Sequence, residues 1–181
     1  MLQIKVNEID LFDDETQTFI PVKEHTLRLE HSLVSLSKWE SKWHKPFLTD
    51  KEKTLEETLD YIRCMNMTQN TDPTVYNALT PENIKEITEY IDNPMTATIV
   101  PDIRGGGGNR REQVTSELIY YWMVALQIPF ECEKWHLNRL LTLVKVCNFK
   151  NQPQKKMSKS EILSRNRALN EARKKKFNTR G

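Results

Sequence analysis

Cys132 and His136 stand four residues apart, and Cys147 follows at helical distance. Thiolate and imidazole are zinc ligands, and i, i+4 spacing on a helix would bring two of them together. A closed site needs more donors, and no second pair such as C-x-x-C accompanies them. Cys147 belongs to an apolar stripe and His136 borders it, so both read as structural, and no metal or other cofactor is expected. A second candidate is the run Gly105–Gly108, followed by Arg110, Arg111 and the start of a helix. Free N–H groups at such a start attract anions. The run lacks the spaced glycines and the Lys-Ser/Thr pair of a phosphate-binding loop. It reads as a flexible joint, since four consecutive glycines are entropically costly inside an element. The four histidines, His25, His31, His44 and His136, accompany no Ser or Cys in a nucleophile turn. The acid-rich stretch Glu52–Asp60 reads as a solvated helix face. No enzyme is expected.

Aromatic and basic residues offer binding rather than catalysis. Trp39 and Trp43, at i and i+4, read as core. Trp135 lies opposite the main stripe of its segment, with Arg139 four residues on. An aromatic beside an arginine on an exposed face has the composition of a binding hot spot; alternatively, the two stack on each other. Thr142, Val146 and Tyr120 complete the candidate partner-binding set. A basic arm carries Lys155, Lys156, Arg165, Arg167, Arg173, Lys174, Lys175 and Lys176. It could neutralise phosphates, yet it has only Phe177 for stacking and no base-reading motif. Nucleic acid is therefore disfavoured against a solvated or protein-contacting arm.

The elements that position these residues change period along the chain. Leu2, Ile4 and Val6 alternate, Asp13–Thr16 looks like a turn, Phe19–Val22 follows, and Leu27, Leu29 and His31 alternate again. That pattern predicts a hairpin or three-stranded meander, with Pro21 at an edge or bulge. Leu36, Trp39, Trp43 and Phe47 then share a helical face, with Pro46 as the stop. Thr54 with Glu57 forms a capping box for a second helix burying Leu55, Leu59, Ile62 and Met65. Thr80-Pro81 opens a third that presents Ile84, Ile87 and Ile91 and ends at Asn93-Pro94. After the glycines, Val114, Leu118, Tyr121, Trp122 and Ala125 line one face of a helix that is apolar all round. Beyond Pro129, the stripe Leu137, Leu140, Leu141, Val144 and Cys147 marks the next. Asn148–Lys156 reads as a linker, and Ser158 with Glu161 caps a last helix of low apolar content.

Charge divides the chain. From Lys150 onward, 11 Lys and Arg face two acids, Glu161 and Glu171, a net of +9. The whole chain holds 27 basic and 25 acidic side chains, leaving residues 1–149 with 16 against 23, a net of −7. A basic arm on an acidic body usually meets an acidic partner. At 181 residues there is room for one ordinary core with the arm as an appendage. Mean hydropathy is −0.66, polar for a globular chain but too aromatic for wholesale disorder. No apolar run approaches the roughly 20 residues needed to span a bilayer, and the N-terminus lacks the apolar core of a signal peptide. With three scattered cysteines, this predicts a cytosolic protein with reduced thiols. The expected class is mainly α: an N-terminal β element (1–32), a helical subdomain (33–104), a glycine-rich linker (105–110), a helical hairpin (111–149) and a basic, flexible or marginally helical arm (150–181).

Several segments together carry a family likeness. They are Leu29–Ser32, Ser37–Trp43, Lys45–Phe47, Asn93–Ala97, Ser116–Met123 and Pro129–Leu140. In their texture the chain resembles a tail assembly chaperone of long-tailed bacteriophages. The resemblance implies a mostly helical, non-catalytic protein of the host cytoplasm. It would coat the aggregation-prone tape measure protein and help recruit tail tube protein. It also implies a possible homo-oligomer, and a longer frameshifted form with which Lys174–Lys176 would be compatible. The rival readings are a structural virion component, such as a neck or baseplate subunit, and then a nucleic-acid-binding module using the arm.

Overall fold

The structure, a computed structural model, describes residues 1–13, 17–49, 51–99, 113–151 and 158–177. The glycine run and most of the expected turn at Asp13–Thr16 lie outside them. Among the described residues the chain is mainly helical, with a small N-terminal β part. Two compact units divide it, Met1–Phe149 and Lys150–Gly181.

The β part has four strands: β1 Leu2–Val6, β2 Ile9–Asp13, β3 Thr18–Val22 and β4 His25–Leu29. β1 pairs with β4 and β2 with β3, both antiparallel. Paired residue numbers add to 31 in both ladders, from Leu2 with Leu29 to Asp13 with Thr18. The four strands are thus one long ribbon in a single register, interrupted where Asn7-Glu8 faces Lys23-Glu24. Of the two expected arrangements, hairpin or three-stranded meander, the antiparallel hairpin pairing is the one formed, with β2 as an additional strand that the mixture of acids and apolar residues in Ile9–Asp13 concealed. Near its base the ribbon has one buried face, Ile4, Val6, Leu27 and Leu29, as a period of two requires. Its β4 edge is covered by backbone: Glu30 N–H donates to Met65 O and Met67 N–H to Arg28 O (3.0 and 2.8 Å).

Helix α1, Leu33–Trp43, starts from a reciprocal cap between Ser32 and Ser35. It stops at His44, whose φ of 52° places it in the left-handed region, a common helix ending. Phe47 therefore lies beyond the helix and reaches the core from a loop, its ring 3.9 Å from that of Tyr61. Helix α2, Leu55–Met65, carries the Thr54–Glu57 capping box. Leu55 is 72% exposed, against expectation, because the buried face runs through Glu57, Asp60, Tyr61, Ile62 and Met65. Nor is the acidic stretch simply solvated. Glu57 takes Lys45 at 2.6 Å, and Asp60 takes Lys42 and the Trp43 indole N–H. Trp39, fully buried, donates its indole N–H to the Glu57 carbonyl at 2.9 Å. Both tryptophans thus fasten α1 to α2.

A short α3, Thr74–Asn77, precedes α4, Pro81–Asp92, which is capped by Thr80 and Asn83. Helix α5, Ser116–Ala125, buries Ser116, Ile119 and Met123. That corrects the expected face: Tyr121 is exposed, and Leu118 and Trp122 are half-buried. The start of α5 is held by a contact that no periodicity encodes, the Ser116 N–H on the Glu40 carboxylate. A 3-10 turn, Phe130–Lys134, leads into α6, Leu137–Asn151. α6 continues through Asn148–Asn151, which corrects the first part of the expected linker; the rest of it, 152–156, lies outside the described residues. The buried residues of α6 are Leu137, Leu140 and Val144, with Leu141 and Cys147 half-buried. In the second unit, α7, Lys159–Phe177, opens on reciprocal hydrogen bonds between Ser158 and Glu161. All its residues are exposed.

Candidate functional site

The turn between α5 and α6 places the aromatic candidates. Trp135 ends the 3-10 turn and precedes α6, so it does not lie on that helix. Arg139, one turn into α6, sets its guanidinium 4.4 Å from the Trp135 ring centre. The two stack, and they do so at the surface: Trp135 is 36% exposed and Arg139 exposed. Such a stack preorganises an aromatic plane and a fork of five donors for a partner. Thr142 and Val146 follow on α6 at helical spacing, both half-buried, and the Thr142 hydroxyl donates to Asn138 O. Tyr120, on α5, is half-buried and donates to Glu133 at 2.9 Å. Burial, followed by that bond to a carboxylate, pushes its phenol up to about 12. It therefore braces the turn to α5.

Sequence reasoning missed further exposed apolar residues of α5 and the turn. Tyr121 and Val124 project from α5, and Phe130 from the turn, all more than half exposed. Tyr121 was assigned to the stripe, and the all-round apolar helix hid the distinction. On another flank of α5 and α6, Leu48, Val114, Trp122, Leu141, Val144, Lys145 and Asn148 line a groove of about 320 Å³.

The metal candidates are separated by local structure. Cys132 lies in the 3-10 turn and His136 just before α6, so the helical spacing that would have joined them is absent. Burial raises the Cys132 thiol above its usual range. Among the described residues no group of three or more His, Cys, Asp or Glu side chains could hold a metal ion. His136 instead packs edge-on against His31, ring centres 5.0 Å apart. Its Nε2 donates to the Tyr90 carbonyl at 3.0 Å, and its Nδ1 is buried without a partner. His31 Nδ1 shares a 2.6 Å hydrogen bond with the Tyr61 hydroxyl. Burial, with His136 alongside, pushes the His31 imidazole down to about 3, and burial also lowers His136. Both rings are neutral packing elements at neutral pH.

A cleft of about 370 Å³ near the start of α2 is bordered by Lys45, Lys51 and Lys53. Glu57 occupies Lys45 and also accepts the Thr54 N–H at 2.9 Å, so one of the three lysines and one backbone donor already meet a carboxylate of the chain itself. Of the arm, Arg165, Arg167, Arg173, Lys174, Lys175 and Lys176 lie on α7; Lys155 and Lys156 fall outside the described residues. No helix among those residues is long and apolar enough to cross a membrane. Compared with protein-family models, curated proteins and solved structures, the chain has no match.

Proposed function

We propose that the chain is a non-catalytic tail assembly chaperone of a long-tailed bacteriophage, acting in the host cytoplasm. In this reading it binds the helical tape measure protein and helps recruit tail tube subunits. The observation that carries it is the exposed Trp135–Arg139 stack beside a helix and turn that also expose Tyr121, Val124 and Phe130. Aromatic and arginine anchors of this kind dominate binding energy at protein interfaces. A chaperone needs such a surface and no catalytic site. The basic arm is read as a second, electrostatic contact with an acidic partner.

The test is co-expression with the tape measure protein. Trp135→Ala with Arg139→Ala should keep the helical signal and melting midpoint yet leave the client insoluble. Normal protection by a folded double variant would remove this face from the reading. Presence in purified virions would favour the rival, a structural neck or baseplate subunit.

A further inference from the structure

The distal half of the β ribbon is apolar on both faces. Leu11, Ile20 and Val22 lie on one, half-buried or buried. The other carries Asp10, Phe12, Phe19 and Pro21, all exposed. Phe12 and Phe19 are cross-strand partners with ring centres 5.2 Å apart, 50% and 67% exposed. A two-stranded ribbon is marginal by itself and is usually stabilised by packing against something else. An aromatic pair held open to water on such a ribbon is suited to insertion.

Charge indicates what it inserts into. Residues 6–22 hold five acids, Glu8, Asp10, Asp13, Asp14 and Glu15, and no Lys or Arg. Conversely, α6 carries Arg139, Lys145 and Lys150 and no acid. The groove along α5 and α6 is apolar, and Lys145 is its one charged lining residue. No carboxylate lies within ion-pair distance of Lys145 among the described residues. Ribbon and groove belong to the same compact unit, yet the Phe rings remain exposed. The tip therefore does not fill its own chain's groove.

We propose that the exposed Phe12–Phe19 pair of one copy docks into the Leu141–Lys145 groove of a second copy, with Asp10, on the same face of the ribbon, beside Lys145. The two surfaces differ, so the contact is heterologous. Each added copy leaves one tip and one groove free, and the assembly extends rather than closing as a two-fold dimer. This contact lies on another flank of α6 from Arg139, Thr142 and Val146 and does not rest on the chaperone reading.

Sedimentation of the full chain over a concentration series tests it. Mass should rise with concentration and fall with added salt. Lys145→Glu changes an exposed side chain, should leave the fold intact, and should weaken association by at least about tenfold. Phe12→Ser with Phe19→Ser should do the same from the other side. Mixed one to one, the two variants should form a complex of two copies and stop there, since only one intact tip and one intact groove remain. If the Phe double variant loses its helical signal, Asp10→Lys takes its place, and its defect should be relieved by mixing with Lys145→Glu. A wild-type chain that keeps single-copy mass throughout, including one whose groove takes only a helical peptide, overturns the proposal. So does a mixture that fails to associate, or a variant that associates like the wild type.

Discussion

The Glu40 carboxylate on α1 accepts the backbone N–H of Ser116, 76 residues later, at 2.7 Å through Oε2. Its other oxygen accepts the N–H of Phe47 at 2.8 Å. Glu40 and Ser116 are both buried, and Ser116 opens α5, so one side chain fastens the second half of the body to the first.

Glu40→Ala would strand two buried donors. Each costs about 1–3 kcal/mol, so a loss of roughly 2–6 kcal/mol is expected in urea unfolding. Glu40→Gln should lose less, since its carbonyl still satisfies one donor. Equal costs for the two variants would mean that the carboxylate holds neither segment.

Stability should depend on the histidine pair in acid. Unfolded, both imidazoles titrate near 6.5; folded, His31 titrates at about 3 and His136 below its usual range. Between those values the unfolded chain binds more protons. The contribution is therefore complete above about pH 7 and is lost as pH falls, by up to about 1.4 kcal/mol per unit for each ring. The nearby polar groups are Tyr61, Tyr90 and Glu30, the last accepting the Tyr90 hydroxyl at 2.7 Å. His136→Gln, which can still donate to the Tyr90 carbonyl, should flatten the fall in melting temperature between pH 7 and pH 5. An unchanged slope would clear His136 of any part in it.

Leu140 and Leu141 are neighbours with different fates. Leu140 is fully buried, whereas Leu141 is half-buried and lines the groove. Leu140→Ala should cost about 2–5 kcal/mol and Leu141→Ala clearly less. The reverse order in thermal unfolding would show that the groove is filled in solution.

Truncation after Asn151 removes α7, whose residues are all exposed. The melting midpoint should stay almost unchanged, because no buried apolar surface of α7 is lost. Disappearance of cooperative unfolding would instead make the arm part of the core.

Local chemistry was legible in the sequence. Thr54 with Glu57, Thr80-Pro81 and Ser158 with Glu161 each mark a helix start, because their hydrogen bonds close within three residues. Alternation in Leu2–Val6 and His25–Leu29 likewise marked two strands, since a period of two belongs to a half-buried strand whatever it packs on. What the sequence left open were choices between equal local options. Apolar residues surround α5, so any face could have been core; packing against the rest of the core, with the Glu40–Ser116 contact at its start, buries Ile119 and Met123. Glu57 and Asp60 have the composition of a solvated face, and α1 turned them into anchors for Lys45, Lys42 and Trp43. Trp135 with Arg139 allowed both a stack and a hot spot; the turn before α6 makes the stack and leaves it exposed. His31 meets His136 where Leu137 N–H donates to His31 O at 2.7 Å, in a contact between two segments far apart in the chain. Hydrogen-bond and steric rules within one turn are written in neighbouring residues. Which surfaces meet depends on the free energy of burying them together, and that exists only once the whole unit has folded.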